Sequence, residues 1–215
     1  MKRPLLITDC DEVLLYMVSH FRDWLAEEKA IHFDLGRADF TSAMTRVGSD
    51  EPLGEAEMWQ LLGAFFDTEM GRQTPVEGAI AAIQAIRDAA DVVVLTNLQD
   101  FRQEARAQQL RGLGLDLRVF TNQGPKGPAL KAILDEYQPT RTVFIDDLAH
   151  HHGSVGKVAP EVTRLHLCAE PRIAQAIPCA LEAGHAHARI DTWEHALPWV
   201  LAQLTGEEKE YGEDE

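Results

Sequence analysis

The stretch LLITDCDEVL, residues 5–14, carries an apolar run straight into two aspartates, Asp9 and Asp11, separated only by Cys10. The apolar part reads as a short strand buried on both faces, the pattern of a parallel sheet. An unpaired carboxylate in a low-dielectric interior is costly unless its charge is matched or neutralised. Two acids at the end of such a run therefore ask for a reason beyond packing.

Four further runs of the same kind follow, at VVVLTN (92–97), LRVFTN (117–122), TVFIDD (142–147) and TRLHLC (163–168). Helical segments separate them over 77–90, 101–112 with Asp100 as N-cap, and 128–137 with Pro128 at the first helical position. Strand, helix and strand in succession predict right-handed crossovers and a doubly wound, Rossmann-like α/β fold with a parallel sheet. The first connection breaks the rhythm, because more than eighty residues separate Asp11 from Thr96. After the helix that feeds the second strand is subtracted, residues 17–75 remain as an insertion. Ser19 is placed to cap a helix through Lys29, and Met58, Leu61, Leu62, Phe65 and Phe66 recur at helical spacing after Glu55 and Glu57. The expected organisation is an α/β core over 1–16 and 76–205, a small helical cap over 17–75 inserted after the first strand, and an acidic disordered tail over 206–215.

Composition narrows the function. The formal net charge is −15, and the last ten residues hold six acids against one lysine. Nucleic acid is a poor partner for such a chain, since binding it draws on a basic face that neutralises phosphates. No segment approaches eighteen uninterrupted apolar residues, so neither a membrane span nor a membrane partner is expected. Three cysteines, Cys10, Cys168 and Cys179, are odd in number and lack paired metal spacing, which fits a reducing, cytoplasmic setting.

In doubly wound sheets the ligand crevice lies outside the carboxyl ends of the strands. Residues ending successive runs here are Asp9 and Asp11, then Thr96 and Asn97, then Thr121 and Asn122, then Asp146 and Asp147. Four carboxylates at one rim repel unless a cation sits among them, and hard oxygen ligands suit Mg2+. Lys126, just ahead of the helix that Pro128 opens, is placed to project toward the same crevice, with Lys131 as a fallback already inside that helix. Taken singly these signals are common; the ordered set is not. His150-His151-His152 reads as a polar loop near the site, because adjacent histidines point in different directions and no second ligand cluster supports a transition-metal site. His185 and His187 would alternate across a short last strand, and Cys10 would turn away from the crevice into the core.

The segments DCDEV (9–13), LTN (95–97), GPKGP (124–128) and FIDD (144–147) resemble, in order and spacing, the four motifs of the haloacid dehalogenase-like hydrolase superfamily. PVEGA (75–79) resembles the point where that family's chain returns from cap to core. The resemblance implies a Mg2+-dependent phosphatase that acts through an aspartyl-phosphate on a small phosphorylated metabolite. It implies Asp9 as nucleophile, ionised near the ordinary carboxylate pKa of about 3.9, and Asp11 as acid and then base, set two residues along on the same strand face. It further implies phosphate binding by Thr96, Asn97 and Lys126, and metal binding by Asp9, Asp11 through its backbone carbonyl, Asp146 and Asp147. Asp11 favours phosphoryl transfer, because the dehalogenating members lack an aspartate there. Two positions depart from the pattern: Glu12 stands where a small residue is usual, and His151 where many members carry Asn or Asp. Candidate substrate-lining residues are His20, Phe21, Arg46, Trp59, Arg72 and His151. A phosphomutase, or a catalytically retired binding protein of the same fold, are the alternative readings.

Overall fold

The computed structural model describes residues 2–37 and 40–206. The acidic tail expected over 206–215 lies, from residue 207 onward, outside the described residues. Six strands form one sheet: β1 (Leu5–Thr8), β4 (Asp91–Thr96), β5 (Arg118–Thr121), β6 (Thr142–Asp146), β7 (Thr163–His166) and β8 (Ala188–Arg189). Their order is β5-β4-β1-β6-β7-β8 and every pairing is parallel. Central β1 sets Leu6 opposite both Val92 and Val143.

The period-two alternation of the strands divides the core into two layers. Leu6, Val92, Val94, Val143, Ile145 and Leu165 face α4 (Ala79–Ala89), α5 (Gln103–Gly112) and α9 (Trp193–Thr205). Leu5, Ile7, Val93, Leu95 and Phe144 face α6 (Gly127–Tyr137) and α7 (Ala149–Val158) on the other side. These are the two helical layers of the expected doubly wound, Rossmann-like sheet.

The residues between β1 and α4 build a third hydrophobic cluster. It is formed by α1 (Val18–Lys29), α3 (Glu55–Thr68) and a two-stranded antiparallel ribbon of β2 (Ile31–Phe33) and β3 (Met44–Arg46), with the short α2 (Phe40–Ala43) between the ribbon strands. The ribbon adds to the helices expected here; three residues per strand are too few for alternation to show in sequence. Chain exit and return run side by side, Tyr16 N donating to Thr74 O at 2.9 Å and Val76 N to Leu14 O at 2.9 Å. The cluster also takes in Leu98, Cys168, Ile173 and Ala174, the first two lying just past β4 and β7 and the last two on α8 (Pro171–Ala176), so the inserted elements rest on the carboxyl edge of the sheet.

Several local expectations are corrected. Ser19 does not cap α1; the helix starts at Val18, and the Glu12 carboxylate accepts the N–H groups of Met17 and Val18 at 2.9 and 2.6 Å. Glu12 takes this role from a left-handed conformation, φ +60°, and the two helix-start N–H groups it accepts account for an acidic side chain there despite that φ. Asp100 opens a 3-10 turn over Asp100–Arg102 ahead of α5, and its carboxylate accepts the Thr121 hydroxyl at 2.6 Å instead of capping the α-helix. His150-His151-His152 sits inside α7, not in a loop, with His151 and His152 buried. His185 and His187 precede β8: the His185 ring lies against Gly153, and His187 Nδ1 accepts from Arg164 N at 2.9 Å. Cys10 is buried in the sheet–helix core, as expected.

Candidate functional site

β1 stops at Thr8, so Asp9 and Asp11 are not successive same-face positions of one strand. Asp9 N still donates to Ile145 O at 2.8 Å, which carries the residue to the tip of β6. From there the chain turns sharply, with Leu14 N and Leu15 N both donating to Cys10 O, and Asp11 lies within that turn. On the neighbouring strand the tip is held from below. Leu148 N donates to Asp146 Oδ1 at 2.9 Å, His152 Nε2 to the Asp146 carbonyl at 3.0 Å, and His166 Nε2 to the Asp147 carbonyl at 2.8 Å. The two ring contacts require the protonated tautomer at each Nε2. Burial depresses the His152 pKa to about 4, against the opposing pull of Asp146, so this ring stays neutral.

Lys126 reaches the cluster because two helices approach closely. A Cβ on Gly127 would lie 2.6 Å from the Ser154 carbonyl oxygen, so glycine lets the start of α6 press on α7. Lys126 is then fully buried, with Nζ 2.7 Å from Asp146 Oδ2 and 2.9 Å from Asp9 Oδ1. The fallback Lys131 is exposed and paired with Asp135.

The electrostatics follow from charge counting. Asp9, Asp146 and Asp147 are all buried, and each offers one oxygen within 4.8 Å of the other two. One ammonium faces three carboxylates. Burial, offset by Lys126 and reinforced by Asp146 and Asp11, raises the Asp9 pKa to about 7. Burial, with Asp146 and Asp9 beside it, also holds Asp147 well above the carboxylate range. Asp146 stays low: burial would raise it most, but Lys126, through charge and hydrogen bond, together with His151 and His152, more than offsets this. Burial pushes the Lys126 ammonium down, but Asp146 and Asp9 more than offset this and raise it. The ordinary pKa expected for Asp9 is thus not what the protein alone supplies. An all-oxygen set carrying surplus negative charge fits a hard divalent cation, which would favour the ionised forms.

Other expected residues surround this cluster. Thr96 is buried at the end of β4. Asn97 donates to the Gly124 carbonyl at 3.0 Å, accepts from Asn122 at 2.9 Å, and meets His151 Nε2 at 3.4 Å. Gly124 makes this turn at φ +88°, a conformation open to glycine. His151 is buried, which lowers its pKa to about 4.

The Asp11 carboxylate turns to another partner. Arg106 Nη2 donates to both its oxygens at 2.9 and 3.0 Å, and Gln73 Nε2 donates to Oδ1 at 2.6 Å. Neither Arg106 nor Gln73 is expected from the sequence. The available signal was the position of Arg106 one helical turn before buried Leu110, on the inward face of α5.

The lining candidates of the insertion make their contacts within it. His20 Nε2 meets Thr74 Oγ1 at 2.9 Å, Arg46 pairs with Glu57, Arg72 with Glu27 at 2.8 Å, and Trp59 donates to Glu55 at 3.4 Å. Phe21 is corrected: it is 1% exposed, its ring 5.3 Å from Phe65 and 6.0 Å from Trp24, a core residue that cannot line a crevice.

No family model and no curated protein matches the chain. Solved structures do match it. A HAD family hydrolase from Deinococcus radiodurans, described with bound phosphate and sodium, is similar at TM-score 0.66 and 18% identity over 95% of this chain and 98% of its own. A haloacid dehalogenase-like family hydrolase from Streptococcus pneumoniae is similar at TM-score 0.66 and 10% identity, over 92% and 98%. A predicted phosphoglycolate phosphatase from Haemophilus somnus is similar at TM-score 0.65 and 10% identity, over 93% and 99%. The chain has the haloacid dehalogenase-like fold.

Proposed function

We propose that the chain is a Mg2+-dependent phosphomonoester hydrolase acting on a small phosphorylated metabolite through an aspartyl-phosphate on Asp9. The observation that carries this reading is the meeting of Asp9, Asp146, Asp147 and Lys126 at one sheet edge, three clustered buried acids of which two, Asp9 and Asp146, pair with one buried ammonium. Asp9, Asp146 and Asp147, with the Asp11 backbone carbonyl, would hold Mg2+, which when bound neutralises charge between nucleophile and phosphate.

In the first step a carboxylate oxygen of Asp9 bonds to phosphorus as the ester bond breaks, and Asp11 gives a proton to the departing alcohol oxygen. Water then attacks phosphorus, Asp11 takes its proton, and Asp9 leaves as carboxylate with release of inorganic phosphate. Thr96, Asn97 and Lys126 bind the phosphoryl oxygens in this scheme. The segment 17–75 serves as the cap, resting over the carboxyl edge through Leu98 and Cys168. It excludes water and selects substrate, with His20, Arg46, Trp59 and Arg72 as lining candidates; His151, 2% exposed, is as buried as Phe21 and is not among them. No helix among the described residues is long and apolar enough to cross a membrane, and Cys10, Cys168 and Cys179 are free thiols, which supports a cytoplasmic setting.

The test is hydrolysis of 4-nitrophenyl phosphate. Turnover is expected to stop with EDTA, return with Mg2+, and disappear in Asp9→Asn with circular dichroism unchanged. A rate indifferent to chelation would reject the metal assignment, and retained turnover in the variant would place the nucleophile elsewhere.

A further inference from the structure

A proton-transfer group must be held at one place and must keep an oxygen open for the proton. The network around Asp11 meets both needs. A carboxylate oxygen accepts two hydrogen bonds through its two lone pairs. Oδ1 receives Gln73 Nε2 at 2.6 Å and Arg106 Nη2 at 2.9 Å, so it is filled, whereas Oδ2 receives Arg106 Nη2 alone at 3.0 Å. One acceptor position is left, on Oδ2.

The group that creates this asymmetry is itself fixed. Arg106 is fully buried, its Nη1 donates to Gln73 Oε1 and Gln109 Oε1 at 2.9 Å each, and its guanidinium lies 5.7 Å from the Phe66 ring centre. Gln109 in turn donates to the Met70 carbonyl at 2.5 Å. Phe66, Met70 and Gln73 belong to the inserted segment, while Asp11 and Arg106 belong to the core. The side chain of Asp11 is thereby oriented from the seam between the two. A buried guanidinium with a two-oxygen grip is a costly arrangement to keep for packing alone.

We propose that Arg106 is a positioning residue for proton transfer: with Gln73 it fixes the Asp11 carboxylate and assigns the exchanged proton to Oδ2. The proposal rests on the reading of Asp11 as acid and base. It predicts that losing Arg106 harms phosphorylation of the enzyme in proportion to how much the leaving oxygen needs a proton.

The test measures kcat/KM, which reports steps through cleavage of the ester, for 4-nitrophenyl, phenyl and 4-methoxyphenyl phosphate. Arg106→Met is expected to lose about tenfold more on the 4-methoxyphenyl than on the 4-nitrophenyl ester, within the range that a general acid contributes. Asp11→Asn should show the same trend, and the double variant should lose no more than Asp11→Asn alone. Arg106→Lys, which keeps a buried cation but not the two-oxygen grip, is assayed alongside and is expected to show the trend as well. It keeps the test intact should Arg106→Met fail to fold. A loss equal for all three esters in the Arg106 variants, or one that adds fully to that of Asp11→Asn, would overturn the positioning role while leaving the acid in place. A uniform loss in Asp11→Asn itself would remove the acid, and the proposal with it.

Discussion

Among the described residues two cationic side chains, Lys126 and Arg106, are fully buried, and they differ in what they join. Lys126 connects Asp9 and Asp146, which stand at the tips of adjacent strands of one sheet, so its surroundings are fixed by the core alone. Arg106 connects Asp11 of the core to Gln73 of the insertion, across the seam between two hydrophobic clusters. The first centre is a charge balance inside a rigid layer; the second is a junction whose geometry depends on how the insertion sits. In the proposed mechanism, phosphate and metal binding would fall to the first centre, and proton transfer to the one that shares its anchor with the inserted segment.

The contrast is tested most severely by removing each cation. Lys126→Met leaves Asp9 and Asp146 buried without a counter-charge, and breaking such a pair costs about 3–5 kcal/mol. Arg106→Met is expected to cost less, because the Asp11 side chain keeps 16% of its surface exposed and Gln73 remains beside it. Urea denaturation of both variants gives the order directly, and a larger loss for Arg106→Met would reverse the assignment of the rigid centre.

Next in size is the response to metal. Saturating Mg2+ should raise the thermal midpoint of the wild type by mass action, with about 2.7 kcal/mol of stabilisation at a hundredfold excess over Kd. Asp147→Asn should lose most of that rise, whereas Arg106→Lys should keep it, since Arg106 serves the other centre. An equal response in both variants would merge the two centres into one.

Gly127→Ala probes how Lys126 is delivered. The added Cβ would meet the Ser154 carbonyl at 2.6 Å, and overpacking against backbone costs about 1–3 kcal/mol. A neutral outcome in urea melts would mean that α6 and α7 have room to separate. The smallest effect is expected at Trp59, 58% exposed on α3: Trp59→Ala should change stability by about 0.5 kcal/mol or less, and move KM without kcat if the ring lines the substrate.

The same contrast explains what the sequence reveals. In a parallel sheet all strand tips face one way, so the order Asp9, Thr96, Asp146 and the lysine before a Pro-opened helix suffices to assemble the rigid centre on paper. The Arg106 junction left no such mark, because an arginine in a helix is ordinarily solvated and its partner Gln73 lies 33 residues earlier in another unit. Glu12 was legible as a departure, yet its purpose, capping α1 from a left-handed turn, depends on where the insertion begins. The histidine run looked like a loop because adjacent polar residues beside a glycine carry no helical periodicity. Contacts from His152 and His166 to the carbonyls of Asp146 and Asp147 were equally hidden, being side chain to backbone. Phe21 is the opposite case: with Trp24 and Leu25 it marks an inward stripe at three and four residue spacing, a core signal in its own right.

The most direct measurement is to catch the phosphoryl group on the protein. Asp11→Asn, mixed with 4-nitrophenyl phosphate and Mg2+ and quenched in acid, should accumulate one phosphoryl group, because a good leaving group needs no proton while the attacking water still needs a base. Peptide mass spectrometry is expected to find that mass on the fragment containing Asp9. A burst of 4-nitrophenol with no adduct, or an adduct on any other residue, would contradict Asp9 as the nucleophile.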